Sequence, residues 1–68
     1  MMIKYFRDTD TALLEFSDAP VEETRELSAH VYADLDADGN LVSLTIEHAA
    51  HVARLPEVTI EEFGADAA

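Results

Sequence analysis

A chain of 68 residues without cysteine makes one small domain, with neither a disulfide nor a thiolate zinc site. Fifteen acidic residues against four basic ones give a formal net charge of −11. That balance argues against unaided binding to nucleic acid or to anionic membranes, both of which recruit Lys and Arg.

Residues 2–6, MIKYF, are apolar and aromatic and predict a first strand. RDTDT (7–11) predicts a polar turn. ALLEFS (12–17) predicts a second strand with Ala12, Leu14 and Phe16 on one face. The two strands make a hairpin, which Pro20 ends because proline cannot donate to a central ladder. VEETRE (21–26) leaves two readings open: an extended connection, or a short helix begun after Pro20.

From residue 27 to 35, Leu27, Ala29, Val31, Ala33 and Leu35 alternate with Ser28, His30, Tyr32 and Asp34. Period two predicts one half-buried strand with His30 and Tyr32 outward. DADGN (36–40) predicts a type I′ turn, with Asp38, Gly39 and Asn40 supplying positive φ. Val42, Leu44 and Ile46 then resume the alternation. HAAHVARL (48–55) places Ala49, Val52 and Ala53 at helical spacing and predicts a short helix ended before Pro56. Val58, Ile60 and Phe63 are expected to dock as a strand or helical turn, and residues 64–68 to fray. The expected architecture is α+β over residues 1–63: a four-stranded antiparallel sheet of two β-hairpins, with one short C-terminal helix packed on or beside it.

DLDADGN (34–40) begins like a calcium-binding loop, with Asp34, Asp36, Asp38 and Gly39 at the first, third, fifth and sixth positions. The twelfth position, which needs a bidentate Glu, is Thr45, and strands rather than helices flank the loop. A solvated hairpin tip is the expected reading. Glu47, His48 and His51 read E-H-x-x-H, without the i, i+4 histidines and following Glu of a zincin. Two histidines without a third ligand make a poor metal site. No specific metal site or cofactor is therefore assigned; His48, His51, Asp34, Asp36 and Asp38 come nearest to one. No catalytic constellation or phosphate loop is present, so a non-enzymatic protein is expected. Tyr32, with His30 beside it, is the candidate interface residue, since a sheet-face tyrosine adds area and tolerates water.

The ordered set YFRDTDTALLEFSD, VEETREL and VYADLDADGNLVSLTIEHAA resembles the DUF2283 (YuzE-like) family of small bacterial and archaeal proteins. Tyr5, Asp10, Ala12, Leu13, Thr24, Glu26, Asp34, Asp36, Asp38, Gly39, Ile46 and Glu47 carry the resemblance. Ser43, or its neighbour, stands where the family usually has glycine in the last strand, and Leu14 where an aromatic is common. The resemblance implies a small α+β fold and no established activity. Some members look like antitoxins encoded beside small basic RelE-like or DUF4258-type toxins.

A small domain buries only about 60% of its unfolded surface, so a homo-oligomer, a dimer, is expected. The acidity fits a basic protein partner, whose opposite field would steer association, or a halophilic host, where salt screens self-repulsion. The expected function is that of a small acidic non-enzymatic protein-binding module, with the antitoxin role as what the resemblance implies; two alternatives accompany it: a metal- or small-molecule-binding protein using the His and Asp residues, and a self-assembling structural protein of a halophile. The first ten residues lack an apolar core of secretory length, so a cytoplasmic location is expected.

Overall fold

A computed structural model describes residues 1–64. The chain forms β1 (Met2–Phe6), β2 (Thr11–Glu15), β3 (Glu23–Ser28), β4 (Val31–Leu35), β5 (Leu41–Glu47) and α1 (Ala49–Val52). The strands lie in one antiparallel sheet in the order β1-β2-β5-β4-β3. The β1–β2 hairpin and the β3–β4–β5 meander are joined where β2 pairs with β5, setting Ala12 opposite Ile46 and Leu14 opposite Leu44.

The sheet has five strands, not the expected four. ETRELS, read as a connection or helix, is β3, paired to β4 with Thr24 opposite Asp34 and Glu26 opposite Tyr32. All six of its residues are exposed, so it carries no hydrophobic period for a sequence reading to find. Residues 27–35 are not one strand: Ala29 and His30 form a two-residue turn between paired Ser28 and Val31, after a register shift beyond Glu26. Leu27, expected inward, is 58% exposed. Apolar residues on both sides of that turn keep the letters alternating while the backbone reverses.

The DADGN hairpin forms where expected, but with a different turn. Only Gly39 has positive φ, at 82°; Asp38 and Asn40 do not. The Gly39 amide donates to the Asp36 carbonyl at 3.0 Å, and the Asp36 amide to the Asn40 carbonyl at 2.9 Å. This is a three-residue loop, a turn followed by a left-handed glycine, and it replaces the two-residue type I′ geometry.

Residues directly opposite across the ladder share a face. One row holds Tyr5, Ala12, Ile46 and Val31, and the next holds Ile3, Leu14, Leu44, Ala33 and Arg25. Ala49 and Leu55 pack onto this inner face against Ala12, Tyr5, Leu14 and Ile46. The opposite, open face carries the rows Lys4, Leu13, Thr45, Tyr32, Glu26 and Met2, Glu15, Ser43, Asp34, Thr24.

The helix is only four residues long, and of the expected inward trio Ala49, Val52 and Ala53 only Ala49 is buried. Arg54, at φ 60°, turns the chain so that Leu55 packs in place of Val52. Val58, Ile60 and Phe63 form neither strand nor helical turn and stay 50%, 74% and 85% exposed. Apart from Gly64, the segment expected to fray lies outside the described residues. The buried apolar residues are Ala12, Ala33, Val42, Ala49 and Leu55, and no large side chain among the described residues is fully buried. No helix among them is long and apolar enough to cross a membrane.

Candidate functional site

Three clusters of polar side chains are built by this sheet. The first lies on the open face. Asp34 on β4 stands between Thr24 on β3 and Ser43 on β5. The Thr24 hydroxyl donates to Asp34 Oδ1 and the Ser43 hydroxyl to Oδ2, each at 2.6 Å. These two bonds, Ser43's the larger, hold the Asp34 carboxyl below its ordinary value. Three strands are thus tied by one carboxylate, and Ser43 is buried in that contact. Glu15 continues the row and pairs with Lys4 at 3.4 Å, while Tyr32 and Glu26 occupy the next row.

The second cluster is the hairpin tip. Asp36 Oδ1 accepts the Asp38 amide at 2.9 Å and the Asn40 amide at 2.8 Å, so this carboxylate shapes its own turn. Glu22, Asp36 and Asp38, with Ala19, Pro20 and Ala37, line an open pocket of about 260 Å³. With Asp34 committed to hydroxyls and Asp36 to amides, the candidate calcium ligands of the sequence do not converge.

The third cluster lies at the opposite end of the sheet, where the β1–β2 turn meets the start of α1. The Tyr5 hydroxyl donates to Asp10 Oδ1 at 2.6 Å, and the Ala50 amide donates to the same oxygen at 3.1 Å. The Asp10 carbonyl accepts the Ala49 amide at 2.8 Å. Asp10 therefore caps the helix from a distant turn, a role its own N-cap residue, His48, does not fill. The Tyr5 bond lowers the Asp10 carboxyl and raises the Tyr5 phenol from their ordinary values. Asp10 and His48 both adopt left-handed backbone, φ 52° and 54°.

His30 does not lie on an outward strand face. Its turn carries it to His48, with ring centroids 4.8 Å apart and planes at 82°. His30 Nδ1 is enclosed without a hydrogen-bond partner. The sequence paired His48 with His51, and the structure instead pairs His48 with His30. No group of three or more His, Asp or Glu residues placed to hold a metal ion occurs among the described residues. Tyr32 lies on the open face, half-buried between Thr45 and Glu26.

Sequence reasoning gave no role to Tyr5, Asp10, Thr24 or Ser43. The first three did carry the family resemblance, and that was the available signal. Their partners are separated by turns and strands, so no local spacing joins them.

Fold and clusters define a small α+β domain built on an antiparallel sheet with one face left uncovered by the described residues. Residues 2–49 match the family described as a protein of unknown function, DUF2283, and the chain belongs to that family. Neither the curated proteins nor the solved structures provide a match. The matched region holds all five strands and ends at Ala49, so the tail beyond the helix lies outside it.

Proposed function

We propose that this protein is a non-enzymatic binding module that receives a basic protein on the open face of its sheet. The observation that carries the reading is the composition of that face. Tyr32 stands there between Thr45 and Glu26, with Asp34 in the neighbouring row, and no helix among the described residues covers it. A tyrosine flanked by carboxylates suits a basic protein surface: the ring supplies contact area and the carboxylates steer encounter. The family resemblance makes a small basic RelE-like or DUF4258-type toxin the first partner to test, in a halophilic cytoplasm. This protein would then act as its antitoxin.

The test is capture with tagged protein from its native host, at low and at high KCl. A basic polypeptide should be retained by wild type and lost from Glu26→Lys and from Tyr32→Ala, both checked for folding by circular dichroism. No basic polypeptide at either salt, or capture that both variants preserve, would overturn the reading.

A further inference from the structure

The two edges of the sheet differ sharply in charge. Residues 1–7 contain Lys4 and Arg7, two of the four basic residues, and no acid; all fifteen acids follow. β1 is thus an edge strand free of acids in a strongly acidic chain, with Lys4 in it, paired to Glu15 at 3.4 Å, and Arg7 just beyond it. It pairs only with β2, so its outer row of amides and carbonyls has no partner among the described residues. Met2, Ile3 and Phe6 along it are 55%, 37% and 46% exposed. The other edge, β3, is blunted by charge, with Glu23 paired to Arg25 at 3.0 Å and Glu26 beside them.

The tail has the complementary character. Residues 57–63, EVTIEEF, hold three glutamates and no basic residue. Val58 and Ile60 alternate with Thr59 and Glu61, a strand pattern without a sheet. Their side chains and Phe63 stand in solvent, and beyond the Glu57 amide, which donates to the Arg54 carbonyl at 3.1 Å, the segment makes no backbone hydrogen bond among the described residues.

We infer that the tail of a second copy adds as a sixth strand to the β1 edge, reciprocally, closing a twofold dimer. Each half supplies what the other lacks: an unpaired edge meets an unpaired strand, apolar rows meet, and glutamates approach Lys4 and Arg7. Pairing β1 with the partner's β1 would set cation against cation. The eight residues 56–63 span up to about 26 Å when extended, several times the ~4.8 Å between strands. Exchange of an identical element between copies is a low-cost route to a closed dimer. This inference concerns an edge and a tail, and stands apart from the proposal for the open face.

Light scattering on the size-fractionated full chain tests it, with hydrogen exchange of the β1 amides as second readout. Wild type is expected to be a dimer whose alternate β1 amides gain protection as concentration rises. Thr59→Pro and Ile60→Pro remove adjacent amides, which point to opposite sides of a strand, so at least one must break the added ladder. At least one of them, and Ile60→Ser/Phe63→Ser, should give monomers with unchanged circular dichroism, since these groups are exposed in the single chain. A dimer that survives both prolines would overturn the inference. So would a monomeric wild type, including one whose β1 amides are protected at every concentration, which would mean that the tail docks on its own β1.

Discussion

Tyr5 and Asp10, five residues apart across the first turn, share a 2.6 Å hydrogen bond whose acceptor oxygen also takes the Ala50 amide. One carboxylate thereby links the β1–β2 hairpin to a helix some forty residues away. That helix has four residues, too few to hold itself, so its geometry is imposed from outside.

Replacing Asp10 should loosen the helix before it loosens the sheet. In Asp10→Ala the amides of Val52, Ala53 and Leu55, which bond back to His48 and Ala49, should exchange faster. Asp10→Asn keeps a residue tolerant of left-handed backbone and should do less harm. Tyr5→Phe leaves the Ala50 bond in place and should also fall between. Equal exchange in all four proteins would show that the helix does not depend on this clamp.

Asp34 ties β3 and β5 through β4, and its loss should be felt across the meander. Asp34→Asn removes a charge-assisted acceptor from two hydroxyls and is expected to cost about 1–2 kcal/mol, at the low end because Thr24 is exposed. Urea unfolding in high KCl gives the value. A cost near zero would mean that water replaces the carboxylate without loss.

The pH dependence follows from the same two aspartates. Both carboxyls are held below their ordinary values, so the stability they contribute is complete above the ordinary aspartate value of about 3.9. It is lost as pH falls through their depressed folded values. Tyr5 runs the other way: its phenol is raised, so its contribution holds below the ordinary tyrosine value of about 10 and is lost as pH rises through the folded one. Stability should therefore drop at both extremes, with the acid limb shallower in Asp34→Asn and the alkaline limb shallower in Tyr5→Phe. Limbs that neither substitution changes would contradict these assignments.

At the hairpin tip, Gly39 has φ 82° and open space where a Cβ would stand. The cost of Gly39→Ala is thus conformational and should be about 1 kcal/mol, with Gly39→Asn milder. Thermal or urea midpoints check the order.

Much of this architecture was legible in the letters. β1 follows from apolar and aromatic composition, β2 and β5 from period two, the Asp36–Asn40 turn from a glycine after aspartates, and the position of the helix from apolar spacing before the final proline. What stayed hidden was β3, whose Glu, Thr and Arg side chains are all exposed and carry no buried face. The Ala29-His30 turn was masked because apolar residues continue on both sides of it. The clusters were harder still. Asp10 with Ala50 and Asp34 with Thr24 and Ser43 are products of strand order, and strand order is set by β2 meeting β5, a pairing no local pattern announces.

Net charge raises a prediction of its own. With −11 on so small a chain, raising KCl from about 0.1 M to about 2 M should raise the urea midpoint, because the screening length falls well below the span of the sheet. An unchanged midpoint would argue that the acids serve a partner rather than a salty habitat.

The central claim, that the open acidic face receives a basic protein, is tested most directly by amide shift mapping on isotopically labelled protein titrated with the captured partner. The account expects changes centred on Thr24, Glu26, Tyr32, Asp34 and Thr45, with the amides of Ala49–Val52 unmoved. Changes confined to the helix and Leu55, with the open face silent, would contradict it.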